Sequence, residues 1–228
     1  MPVEHAVPGT ILDLKSEPLG RVVIEGEGVT LRIGLDSLVH CDIWVRAEAS
    51  NTVIEIGEQC ILNGLIQVVA GDGGVIRIGD FTTFNAVGLS QHEAGEMIFG
   101  RNNMLSTDIH IDVSDMHGIY DRATGARLNP PLSVVLGDNV WVGTRAMLLK
   151  GCRIGSGTVI GAGAVVSGEI PANVIAVGTP ARVVRENITW LRTTPDSVEP
   201  DPSFGPPPAK RRGIVGRLMD WIAGSTPQ

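Results

Sequence analysis

From Leu136 onward an aliphatic residue returns at every sixth position: Leu136, Val142, Leu148, Ile154, Ile160 and Val166. Four of them are followed directly by glycine, at Gly137, Gly143, Gly155 and Gly161. Four positions beyond each stands Val140, Ala146, Cys152, Thr158, Ala164 or Ile170, mostly small. A helix repeats its buried face every three to four residues and a strand every two, so a beat of six fits neither as a single element. It fits a short flat strand, a corner and the next strand.

Upstream the same beat is slower. The stretches LRIG, IEIG, IRIG, MIFG and VVLG end at Gly34, Gly57, Gly79, Gly100 and Gly137, at intervals of 23, 22, 21 and 37, and the next comparable glycine, Gly155, follows after 18. Three hexads make 18, so one coil reads as three strands and three corners. The upstream coils then carry a few extra residues each, and the long interval contains a true excursion. One aliphatic residue per side points inward and stacks on its equivalent in the next coil, while successive coils pair their backbones. Glycine and small residues relieve crowding at corners, where positive φ or close backbone approach is needed. The predicted fold is all-β: a triangular parallel β-helix whose handedness the period does not give.

Composition supports a core built from aliphatic layers, since 43% of the 228 residues are hydrophobic but only 4% are aromatic, with 29 glycines. A net charge of −7 argues against nucleic acid as a partner. The chain has no apolar run long enough to span a membrane and its first residues do not resemble a signal peptide. Cys41, Cys60 and Cys152 form no CxxC pair, which fits small buried hydrophobes in a reducing cytoplasm. The domain reading is a lead-in over 1–21, a β-helix over 22–186 with a loop extruded at 113–131, a Pro-rich linker over 187–208 and an amphipathic tail over 209–228.

The hexads, with SDMHGIYDRATGARLNPPLSVVLGDNVWVGTRAMLLKGCRIG and AVGTPARVVRENITW, resemble the hexapeptide-repeat acyltransferases over roughly 54–190. Within that family the match is to the sugar and capsular-polysaccharide O-acetyltransferase branch. The resemblance implies a left-handed parallel β-helix, an exception to the usual crossover hand, and acetyl transfer from acetyl-CoA to a saccharide hydroxyl without an acyl-enzyme.

His117 lies in the excursion, a loop by its Asp, Gly, Asn and Pro content, and loops on rigid scaffolds commonly carry chemistry. An imidazole suits removal of a hydroxyl proton during attack on a thioester, so the resemblance makes His117 the general base. A carboxylate or carbonyl should fix its tautomer; Asp112, Asp115 and Asp121 are all near in sequence, and the choice stays open. Trp141, in GDNVWVG, is implied as a second site residue, a hydrogen-bond donor or packing wall, against plain cover for a corner. Asn85, in FTTFNAVG, stands near where galactoside-type relatives hold the acceptor, or is a corner asparagine. His5, His40, His92 and His110 read as structural or solvated.

The resemblance further implies a homotrimer with coenzyme A in the groove between neighbouring prisms. Its matched positions are Thr144, Ala162, Ser167, Gly168, Arg182 and Arg185, the arginines suiting phosphate; many relatives have lysine at the position of Gly168. No metal is expected. In the tail, Ile214, Val215, Leu218, Met219, Trp221 and Ile222 share one side of a short helix behind Lys210, Arg211 and Arg212. It would dock on a neighbouring subunit or prism end, or touch the inner membrane face. The fold also hosts amino-sugar N-acetylation, antibiotic acetylation, a metal-dependent carbonic-anhydrase type and non-catalytic scaffolds. The carbonic-anhydrase type fits poorly, because His110 and His117 are seven apart on either side of the loop entrance.

Overall fold

The computed structural model describes residues 3–199, so the tail at 209–228, with its expected short helix, and part of the Pro-rich linker lie outside the described residues. The chain divides after Trp190 into two units, and the first is built of strands, with no helix among the described residues.

Three sheet faces wind the prism. The first stacks Ile11–Leu14, Thr30–Ile33, Val53–Ile56, Val75–Ile78, Glu96–Phe99, Val134–Leu136, Arg153–Ile154 and Glu169–Ile170, all parallel and in chain order. The second runs from Leu38–Val39 through Met104–Leu105, Trp141–Val142 and Val159–Ile160 to Ile175–Val177. The third runs from Val3–Ala6 through Val22–Ile24, Asp42–Val45, Ile109–Asp112 and Met147–Leu148 to Val165–Val166. Two long strands, Ile61–Val68 and Thr83–Gln91, turn the corner from second to third face unbroken, with a register shift between Phe84 and Val87. Residues 1–21, expected as a lead-in, already hold two strands that pair in parallel with the next coil.

The six-residue beat is the inward column of each face. Leu136, Val142, Leu148, Ile154, Ile160 and Val166 are at most 3% exposed, and the residues four further on are buried as well. Register makes the stacking explicit, with Leu136 opposite Ile154 and Ile154 opposite Ile170. The glycines after the aliphatic residues serve close approach: a Cβ on Gly155 would stand 2.4 Å from the Ala172 backbone nitrogen. Left-handed backbone falls two positions later, at Asn139, Arg145, Gly151, Gly157 and Gly163, again six apart. The corner's crossing point and its left-handed residue are thus separate positions. The cysteines are free and buried, and burial raises all three thiols, Cys41 and Cys152 to about 12. Extra residues of the upstream coils collect at the third-to-first corner, where Ala49–Ser50 pairs with Gly71–Asp72.

Candidate active site

The excursion leaves the same corner, between the end of Ile109–Asp112 on the third face and the start of Val134–Leu136 on the first. Its root is tied to the prism by charge. Arg127 donates twice to Glu93, at 2.6 and 2.7 Å, and the Ser114 hydroxyl donates to the same carboxylate. The Arg127 guanidinium, then Ser114, holds the Glu93 carboxyl down at about 2. Lys150, on the corner of the next coil, pairs with Asp115 at 2.6 Å and donates to the Pro130 carbonyl at 3.1 Å. Lys150, then Asn129, lowers the Asp115 carboxyl from its ordinary range.

Inside the loop, Asn129 staples the turn that carries His117. Its side-chain oxygen accepts the Ile119 N–H at 2.6 Å, and its amide donates to Asp115 at 2.9 Å and to the His117 carbonyl at 2.8 Å. Met116, between Asp115 and His117, has φ of 63° while the His117 N–H reaches the Asp115 carbonyl at 2.6 Å. A three-residue turn of this sign is rare and strained. Gly118 follows, with the Tyr120 ring close enough to exclude a Cβ. The His117 side chain itself is exposed.

None of the three aspartates near His117 in sequence turns to its ring. Asp115 is taken by Lys150 and Asn129, and Asp121 caps the turn at Ala123 and Thr124. Asp112 pairs with His92, whose Nδ1 lies 2.6 Å from Oδ2, and its other oxygen accepts the Ser114 N–H. The carboxylate–imidazole pair at the loop root is therefore built on His92, which sequence reasoning set aside as structural or solvated. His92 precedes Asp112 by 20 residues, about one upstream coil, a separation that no local motif marks.

The other expected site residues are dispersed over one chain. Trp141 starts a strand of the second face, is 38% exposed and packs on Trp190 at 5.9 Å; the Trp190 indole donates to the Asn139 carbonyl at 2.7 Å. It thus arises on a different side of the prism from the loop of His117. Asn85, Thr144 and Ala162 come together along the second-to-third corner, Asn85 and Ala162 exposed and Thr144 sharing a 2.8 Å hydrogen bond with Ser106. Ser167 and Gly168 stand exposed on the third-to-first corner, and Gly168 has open space where a Cβ would be. Arg182 and Arg185 are exposed on a strand antiparallel to Ile175–Val177. Small, exposed residues at both of its corners thus flank the third face, on which Met147 is exposed. Among the described residues no three His, Cys, Asp or Glu side chains are grouped to hold a metal ion.

Comparison with known proteins agrees with this architecture. Residues 133–168 match the bacterial transferase hexapeptide family of six repeats. A galactoside O-acetyltransferase of Lactococcus lactis is 34% identical over 58% of this chain and 62% of its own length. A polysialic acid O-acetyltransferase of Escherichia coli O1:K1 is 30% identical over 55% of this chain and 41% of its own. The chain spans less than two thirds of either relative. The crystal structure of the polysialic acid O-acetyltransferase OatWY superimposes with a TM-score of 0.75 at 24% identity, covering 87% of this chain and 92% of that one, a likeness of fold that carries the left-handed winding. Residues 133–168 thus carry the hexapeptide repeats of the bacterial transferase family, and over about half its length the chain is similar to O-acetyltransferases.

Proposed function

We propose that the chain is an acetyl-CoA-dependent O-acetyltransferase acting on a saccharide hydroxyl, with His117 as general base. The observation that carries the reading is the loop over 113–133, pinned at its root by Arg127–Glu93 and Lys150–Asp115 while presenting an exposed imidazole on a strained turn. Acetyl-CoA supplies the activated acyl group. His117 accepts the acceptor's hydroxyl proton as that oxygen attacks, and returns a proton to the leaving thiolate. Thr144, Ala162, Ser167 and Gly168 would line the donor's arm, and Arg182 and Arg185 would meet its phosphates. Trp141 and Asn85 would border the acceptor.

Because His117 and Trp141 arise on different sides of one prism, a complete site takes walls from two chains, and a homotrimer is the expected assembly. The described residues include no helix long and apolar enough to cross a membrane; peripheral contact through the tail remains part of the proposal, as does a cytoplasmic location. General base help is typically worth ~10²–10⁴-fold, so His117→Ala should cut acetyl transfer by that factor with folding unchanged. Transfer at the wild-type rate would remove His117 from the mechanism. Product analysis on hydroxyl and amino acceptors, read by mass, tests O- against N-acetylation.

A further inference from the structure

After its last coil the chain turns back along the prism, and the residues that end this return have no part in the acetyl transfer proposed for His117. Arg182–Arg185 runs antiparallel to Ile175–Val177 with every residue exposed, so its side chains bury nothing against the sheet. The hold comes further on. Asn187 takes a left-handed φ of 54°, the Ile188 N–H donates to the Asn173 carbonyl at 3.0 Å, and Trp190 is only 7% exposed. The Trp190 indole N–H donates to the Asn139 carbonyl at 2.7 Å. Asn139, Gly157 and Asn173 are equivalent left-handed corner residues of successive coils. With coils about 4.8 Å apart, the two anchor points lie roughly 10 Å from each other. Two residues of extended backbone span only ~7 Å, and the length of the indole supplies the rest.

The return ends on Trp141. The two ring centroids are 5.9 Å apart and the planes are tilted by 49°, within the range of favourable aromatic pairs. Trp141 projects outward from the second face, since Val140 and Val142 on either side of it are buried. Its neighbours across the sheet, Met104 and Val159, are half-buried apolar side chains. They pack against an indole without fixing its direction, and on a strand two χ1 rotamers are ordinarily open to an outward side chain. The ring of Trp190 favours one of them. The two indoles also differ in what their N–H groups do. Trp190 gives its own to Asn139, whereas among the described residues the Trp141 N–H has no partner, and that side chain is 38% exposed. One indole is buried and tied; the other is held by its ring, with its donor open to a ligand.

We infer that Trp190 is a positioning residue for Trp141: the returning segment sets the rotamer of the exposed indole, and so the direction in which its N–H meets the acceptor. The inference rests on the reading of Trp141 as a border of the acceptor site. Trp190, buried, does not itself meet the acceptor. Aromatic pairing biases a rotamer about 2- to 12-fold. When the competent rotamer is populated only in part, apparent affinity falls by that fraction. Loss of the Trp190 ring therefore falls on the KM of the acceptor, while the KM of acetyl-CoA and the proton transfer at His117 are untouched.

The test joins a spectrum to a kinetic measurement. Intact protein labelled with fluorotryptophan, its fluorine resonances assigned by replacing each tryptophan with phenylalanine, should show one narrow signal for Trp141. Trp190→Leu keeps apolar cover over the corner but loses the ring, and the Trp141 signal should broaden or split; Trp190→Phe keeps a ring, and the signal should stay single. Lactose, maltotriose and sialyllactose serve as acceptors in steady-state kinetics. On a sugar that is acetylated, Trp190→Leu should raise the acceptor KM about 2- to 12-fold with the acetyl-CoA KM unchanged, and Trp190→Phe should stay near wild type. In a Trp141→Ala background, Trp190→Leu should add nothing. A Trp141 signal that stays single and narrow in Trp190→Leu overturns the inference. So does an equal rise in KM with Trp141 already removed, or a fall in melting temperature and kcat with the acceptor KM unchanged. Absence of transfer to any of the sugars, or transfer that Trp141→Ala leaves intact, would instead overturn the proposed role of the site, and the fluorine signal would still decide whether Trp190 holds Trp141.

Discussion

Asn129 offers the sharpest test of how the loop works, because its three hydrogen bonds stay within the loop. Asn129→Ala removes the acceptor of the Ile119 N–H and the donor to the His117 carbonyl and to Asp115. Neutral hydrogen bonds contribute about 1 kcal/mol each and those to charged groups about 1.5–3 kcal/mol. The groups left behind at 115, 117 and 119 are on exposed residues, so water replaces part of the loss and about 2 kcal/mol remains. Nothing in the stacked coils depends on Asn129, so this loss falls on the order of the loop rather than on the prism. The melting temperature should stay within a degree or two. If the turn is otherwise marginal, the fraction of chains presenting His117 correctly falls by up to about 30-fold. The value of kcat/KM for acetyl transfer, followed by release of the coenzyme A thiol, should fall by that factor. It should remain above that of His117→Ala, and the loop should become easier to nick by limited proteolysis. Asn129→Asp keeps an acceptor for Ile119 but sets a second carboxylate against Asp115. It should be no better than alanine at neutral pH and should improve as the pH is lowered. Full transfer with unchanged proteolysis in Asn129→Ala would refute the idea that this staple holds His117 in place. A large loss of melting temperature would show that the side chain supports the prism instead.

Further outcomes follow from the same geometry. The Glu93 carboxyl is depressed from its ordinary 4.5 to about 2, so its clamp on Arg127 is fully present above pH ~4.5 and is lost as the pH falls toward 2. Pepsin nicking of the loop over 113–133 should rise steeply in that window, and Glu93→Gln should be susceptible at its upper edge already. Gly155→Ala would drive a Cβ to within 2.4 Å of the Ala172 backbone nitrogen, and overpacking of this kind costs ~1–3 kcal/mol; thermal unfolding should register the drop. With Cys41 and Cys152 pushed up to about 12, folded protein at neutral pH should resist thiol reagents and react fully only after denaturation.

How much of this was legible in the chain depends on whether neighbours in space have a fixed separation in sequence. Over 136–170 they do: every coil is three hexads or nearly so, and the inward columns could be read residue by residue. Upstream the separation drifts, because insertions at the third-to-first corner lengthen each coil by a different amount. The contacts that matter most at the site cross that corner. Arg127 and Glu93 are 34 residues apart, Lys150 and the Pro130 carbonyl 20, and His92 and Asp112 also 20. No local motif marks them, so His92 looked like one more corner histidine and Asn129 like a turn residue ahead of two prolines. The loop itself was visible as a break in the count, since it interrupts the beat outright. A β-helix thus shows its core and its interruptions in sequence but hides the bonds between coils and within the loop, and it is those bonds that give His117 a fixed place. This is why the strained turn at Met116 persists. A residue at φ 63° costs of order 1–3 kcal/mol, and the loop keeps it because Asn129 and Lys150 hold both sides of the turn; releasing either side lets Met116 relax and His117 move with it.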